Sequence, residues 1–147
     1  MGNRKNQRVG EALESQGVDV FESSITLVRR LRDAGIRTAV VSASANCAAV
    51  LRAAGIHDLF ETRVDGVTLT ERDLAGKPSP ASFLEAAREL GVEPARAVVV
   101  EDALSGVEAG RAGGFGLVIG VARKDNAAAL AESGADVVVA DLGELLP

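Results

Sequence analysis

Two spacings of apolar side chains alternate along the chain. Between residues 24 and 34, Ile25, Leu27, Val28 and Leu31 recur at helical spacing and Gly35 follows as a stop, which predicts an amphipathic helix. Residues 3–15 read as a more polar helix, and 17–23 as the loop between the two. A short apolar run at 37–41 predicts a strand. A helix over 45–54 follows, with Ser44 placed to cap it and Gly55 to end it. A short strand is expected near 62–64, then a polar loop through Lys77 and a helix over 79–90. Three consecutive valines, Val98 to Val100, read as a strand buried on both faces, and a helix over 104–112 comes next. Strands at 117–121 and 136–139 enclose a last helix over 126–133. This βαβαβ rhythm predicts an α/β fold with a Rossmann-like parallel sheet, flanking helices and right-handed crossovers.

Composition narrows the partners. A chain of 147 residues is one ordinary domain, able to bury roughly two thirds of its unfolded surface. It is 47% hydrophobic, with four Phe and no Trp or Tyr, so aromatic platforms for stacking nucleic-acid bases are absent. A formal net charge of −5 opposes binding to DNA, RNA or an anionic membrane, and no apolar run is long enough to span a bilayer. Any anionic ligand must be met by a local cluster of donors. Cys47 is the single cysteine and reads as core filler; with no apolar leader pattern, the cytoplasm is the expected location. His57, the single histidine, follows a helix stop and reads as a surface residue.

Three junctions between strands, loops and helices carry candidate chemistry, and each also has a plain structural reading. The run VVSAS at 40–44 places two hydroxyls and several backbone N–H groups where a strand opens into a helix, either as an anion cradle or simply as a cap. AGKPSP at 75–80 sets Lys77 between a glycine and a proline at the foot of a helix, either aimed at a phosphate or solvated in a loop. VVVEDALSGVEAG at 98–110 ends its strand in Glu101 and Asp102. These acids either hold a ligand at the strand's carboxyl end, or Asp102, or Ser105 with Glu108, caps the next helix. Gly76-Lys77-Pro78 is not a P-loop, because Glu71 stands where the first glycine is needed and Pro78 where a Ser or Thr would be.

Taken together and in this order, hydroxyl, lysine and acid pair resemble the second, third and fourth motifs of the haloacid dehalogenase superfamily of phosphotransferases, in its β-phosphoglucomutase-like branch. VIGVARKDN and GADVVVADLGEL are similar to that family's closing strands. The resemblance implies that Ser42, with Ala43 and Ser44, binds the transferring phosphoryl group and that Lys77 neutralises its charge. It implies that Asp102, helped by Glu101, holds Mg²⁺. It further implies that Asn46 and Lys5 lie near a sugar-phosphate substrate, Lys5 from an NRKN segment like the end of the family's helical cap. Residues 1–16 would then be that cap remnant and 17–147 the core.

One expected motif has no match. The family's first motif, a strand ending in D-x-D-G that supplies the aspartate nucleophile and an aspartate acid/base, is not found; VDGVT at 64–68 fails because Arg63 stands two residues before Asp65. Asp65 reads as a turn residue. The chain therefore resembles the carboxyl-terminal part of a phosphatase or phosphomutase for a small phosphorylated metabolite, expected to be inactive alone and to bind Mg²⁺ weakly. The alternatives are a non-catalytic phosphate- or sugar-phosphate-binding module, or a structural half that needs a partner chain. Without the nucleophile strand two apolar strands are left with unpaired edges, which direct pairing, a second chain or an amino-terminal segment would have to close.

Overall fold

The computed structural model of the chain describes residues 22–146. The expected cap remnant at 1–16, with Lys5, lies outside them. In chain order the elements are α1 (Glu22–Asp33), β1 (Ala39–Val41), α2 (Cys47–Ala53), β2 (Thr62–Val64), α3 (Gly66–Glu71) and α4 (Ala81–Leu90). β3 (Val98–Glu101), α5 (Leu104–Ala112), β4 (Leu117–Val121), α6 (Ala127–Glu132) and β5 (Val137–Val139) complete them, and short 3₁₀ turns cover His57–Leu59, Pro94–Arg96 and Leu142–Leu145. From residue 22 on, the predicted order of strands and helices is reproduced, with one helix added; the helix expected over 3–15 lies outside the described residues. Residues 66–71, expected as loop, are helical because Asp65 and Thr68 form a capping box, the Asp65 carboxylate accepting the N–H groups of Val67 and Thr68. That D-x-x-T spacing was readable, but the segment is too short to show helical periodicity.

All strand pairs are parallel, but they fall into two sheets. β1 pairs with β2, Val40 opposite Arg63; β3, β4 and β5 pair in that order, Val99 opposite Val118 and Gly120 opposite Val138. Direct pairing of β1 with β3, one of the expected closures, does not occur. Among the described residues no strand lies between them.

The sheets are nevertheless packed into one body. α4 places Phe83 in a core with Val99, Val107, Val118 and Leu130, and Val41 of β1 packs against the same core. On the opposite face, α1 sends Ile25 and Val28 to the cluster of Cys47, Leu51, Ile56 and Leu59, and Leu27 to that of Ile119, Val121, Val139 and Leu142. The alternation of a half-buried strand is plain in β1, where Val40 faces the α1 side and Val41 the α4 side. β3 is not buried on both faces as its three valines suggest: Val99 is buried, but Val98 and Val100 on the other face stay 55% and 42% exposed.

The polar ends of α4 fix the direction of everything around it. At its carboxyl end Arg37, just before β1, donates to the Leu90 carbonyl, and Thr62 at the start of β2 donates to Glu89. At its amino end Lys77 reaches Glu101 at the finish of β3. β1, β2 and β3 therefore point the same way, and their carboxyl ends gather beside the start of α4. Gly91 ends the helix in the left-handed region at φ 70°. Among the described residues no helix is long and apolar enough to cross a membrane.

Leu130 is 0% exposed between α6 and the sheet. Leu130→Ala is expected to lower unfolding free energy by about 2–5 kcal/mol, read as a lower midpoint in urea at unchanged slope.

Candidate active site

The hydroxyl loop leaves β1 directly. The Ser42 N–H donates to the Val64 carbonyl at 2.9 Å, prolonging the β1–β2 ladder by one rung, and the Ser42 Oγ accepts the Ser44 N–H at 3.1 Å. The Ser44 Oγ in turn accepts the Asn46 N–H at 3.1 Å. Two hydroxyl turns in succession thus shape residues 42–46. Ser44 is not the cap of α2: the cap position is Asn46, whose side chain makes no capping bond, so the helix begins two residues later than the pattern predicts. Ala43 and Asn46 are exposed, whereas Ser42 and Ser44 are partly buried.

A neighbouring junction braces this loop, and it escaped the sequence reading. The Gly66 N–H donates to the Ser44 carbonyl at 3.0 Å. A Cβ on Gly66 would stand 2.6 Å from the Ala43 oxygen, 2.8 Å from the Ala45 nitrogen and 3.0 Å from the Ser44 carbonyl carbon, all backbone atoms. Only a glycine lets the two chains lie this close. Asp65 beside it is more than a turn residue: it is 2% exposed and its carboxylate pairs with the Arg63 Nε at 2.8 Å. Burial works to raise its pKa, but the bonds from the Thr68 N–H, Arg63 and the Thr68 hydroxyl outweigh burial and hold it below the usual carboxylate value. The clue in the sequence was a glycine directly after a strand-ending aspartate.

Cys47, the first residue of α2, is fully buried next to Ser42. Burial, reinforced by the charge of Asp65, raises its thiol pKa, which suits the expected role as neutral core filler. His57 is exposed on its 3₁₀ turn, again as expected.

The lysine stands just before α4, and the acids at the end of β3. Lys77 Nζ donates to Glu101 Oε1 and lies 4.9 Å from the centre of the Phe83 ring. The two charged side chains are only 18% and 11% exposed, so neither is a solvated surface group. Glu101 Oε2 also accepts the Ala103 N–H at 3.3 Å. Helix capping does not explain the acid pair. The cap residue of α5 is Ala103, with no side-chain capping bond, so neither Asp102 nor Ser105 serves in that role. Asp102 is partly buried at the strand's carboxyl end.

The fold therefore brings Lys77 into contact with Glu101 and sets the Ser42–Ser44 loop at the same end of the parallel strands. Lys5 lies outside the described residues. Glu101 and Asp102 are hard oxygen donors, the kind Mg²⁺ takes when it keeps several waters and uses one or two carboxylates plus a phosphate. They suit that ion in kind, although no group of three or more metal-ligating side chains exists among the described residues.

The sequence profile of haloacid dehalogenase-like hydrolases matches residues 3–114. The chain belongs to that family, in its β-phosphoglucomutase-like branch. A curated β-phosphoglucomutase of Mycobacterium bovis is 51% identical over 149 residues, covering 99% of this chain and 57% of that protein. A trehalose-phosphate phosphatase of Mycobacterium leprae is 42% identical, covering 86% of this chain and 28% of its own length. Among solved structures, a haloacid dehalogenase family hydrolase from Deinococcus radiodurans R1 with bound phosphate and sodium superposes with a TM-score of 0.74 at 35% identity, covering 85% of this chain and 56% of that one. The haloacid dehalogenase-like chain thus spans little more than half the length of these relatives, or less.

Asp65→Ala is expected to cost about 1–2 kcal/mol through the lost cap. Because the Asp65 pKa is lowered by folding, its contribution is complete above the ordinary aspartate pKa of 3.8 and fades as pH falls through the depressed folded value. The stability gap between wild type and Asp65→Ala, followed by urea unfolding from pH 7 downward, should therefore hold to about pH 4 and close below it.

Proposed function

We propose that this chain supplies the charge-stabilising half of a phosphotransferase site for a small phosphorylated metabolite, most simply a sugar phosphate. The observation that carries the reading is the partly buried Lys77–Glu101 contact, at the strand end where the Ser42–Ser44 loop also opens. The names of the relatives, a β-phosphoglucomutase and a trehalose-phosphate phosphatase, support the substrate class.

In this reading a carboxylate oxygen attacks phosphorus in line and the bond from phosphorus to the substrate oxygen breaks. The resulting acyl phosphate is then attacked by water, in a phosphatase, or by a sugar hydroxyl, in a mutase. The attacking carboxylate belongs to a D-x-D-G strand that is not among the described residues. β1 and β3 do not pair with each other, so such a strand would have an edge of each to hydrogen-bond with. Ser42 would donate its hydroxyl proton, and the N–H groups of the loop their dipoles, to the non-bridging oxygens, while Lys77 offsets the charge spread over them. Glu101 and Asp102 would hold Mg²⁺, which when bound supplies Lewis-acid stabilisation of the phosphoryl oxygens and orients them. Asn46 and Lys5 would contact the rest of the substrate. A reducing cytoplasm suits the lone buried thiol of Cys47.

The purified 147-residue chain is expected to hydrolyse aryl and sugar phosphates no faster than background. A D-x-D-G segment, fused or added in trans, should restore turnover that requires Mg²⁺. Asp102→Asn or Lys77→Ala in the restored protein should lower kcat about 100-fold or more. Robust activity of the chain alone that vanishes in Asp102→Asn would overturn the assignment of the nucleophile to another strand.

A further inference from the structure

Gly106 lies in the first turn of α5, five residues after Glu101, and its missing side chain is filled by a carboxylate. A Cβ built there would fall far inside contact distance of Cδ, Oε2 and Cγ of Glu101. The Glu101 carboxylate therefore rests directly on the helix backbone. From that seat one oxygen takes the Lys77 ammonium and the other the Ala103 N–H, in a setting where neither charged side chain is more than 18% exposed. Phe83 closes the lysine from another side, 4.9 Å away. The Lys77 ammonium is thus neutralised before any ligand arrives.

We propose that Gly106 is a positioning residue that seats Glu101 on Lys77, and that the seated pair makes uptake of a phosphate anion and of a divalent cation depend on each other. The proposal rests on the phosphate-binding reading above. A phosphate approaching Lys77 meets a charge already spent on Glu101, together with the repulsion of that carboxylate. A divalent cation approaching Glu101 has to compete with Lys77 for it. When both arrive, the cation takes the carboxylate and the anion takes the ammonium, so each partner removes the obstacle to the other. Such coupling is reciprocal by necessity, and values of about 5- to 150-fold are usual. The pair then keeps the site closed to phosphate without metal and to metal without phosphate.

Two substitutions separate the seat from the charge. Gly106→Ala keeps every charge and favours the helix, since alanine is the better helix former, but evicts the carboxylate. Glu101→Gln keeps the seat and removes the charge. Glu108→Gln, on the exposed face of α5, is an equal charge deletion away from the pair. Inorganic phosphate is titrated into each 147-residue protein by calorimetry, with and without Mg²⁺, after thermal unfolding has confirmed folding. The wild type is expected to bind phosphate about tenfold more tightly with Mg²⁺. Gly106→Ala and Glu101→Gln should each bind it about tenfold more tightly than wild type without Mg²⁺, with the Mg²⁺ dependence falling to within about twofold. Glu108→Gln should follow the wild type. If Mg²⁺-loaded wild type takes up phosphate but the metal-free affinities of Gly106→Ala and Glu101→Gln equal its own, the seat is overturned and the phosphate-site reading stands. If Gly106→Ala fails to fold, the comparison of Glu101→Gln with Glu108→Gln decides. Absence of phosphate binding in every protein overturns both readings.

Discussion

Because β1 and β3 share no hydrogen bond, the common frame of the two sheets rests on side-chain packing, and on α4 above all. Its Phe83 enters the core under β3 and β4, and its far end accepts the Arg37 donation just before β1. Its glutamates Glu85 and Glu89 also tie down Arg72, at the end of α3. Packing of this sort is less directional than a strand ladder, so the helix needs these polar ties at both ends to fix the angle between the halves. α1 braces the opposite face by dividing its apolar residues between two clusters. Everything proposed for the site depends on this arrangement, since it alone brings the ends of β1 and β3 to one side of the molecule.

To bind the anion proposed for it, an acidic chain must hold its positive charge locally, and a half-buried ammonium without a partner would be costly to desolvate. Lys77 meets that difficulty with Glu101 and the face of Phe83. A lysine held this way is pre-positioned, so little side-chain freedom remains to be lost when a ligand comes. Two arginines nearby are used structurally: Arg63 secures Asp65, and Arg123 bridges Ser24 and Asp141.

The alternation of strands and helices was legible because each long element carries its own signal, a continuous apolar run in β3 and the helical spacing of Ile25, Val28 and Leu31 in α1. Lys77 and the acid pair were legible because glycine, proline and consecutive valines punctuate the chain around them. What the sequence hid was contact between separate segments. Nothing local to VDGVT says that Gly66 lies against the backbone of residues 43–45, and nothing local to LSGVE says that Gly106 lies beneath Glu101. Ser44 was misplaced as a helix cap for the same reason: two hydroxyl turns in succession use up residues that a propensity argument assigns to the helix. The division into two sheets was also hidden, because a run of apolar residues names a strand but not its neighbour.

The contact of Gly66 with the loop at 43–45 has a consequence for sequence divergence. A side chain at residue 66 is barred by backbone atoms, which cannot be trimmed by changing the residues that carry them. No single replacement at 43, 44 or 45 therefore makes room for a larger residue at 66. Only a change in the path of the loop, an insertion or a deletion, would do so. These two stretches, 21 to 23 residues apart in the chain, should drift through evolution as one block, and a hydroxyl loop grafted into another scaffold would have to bring its glycine along.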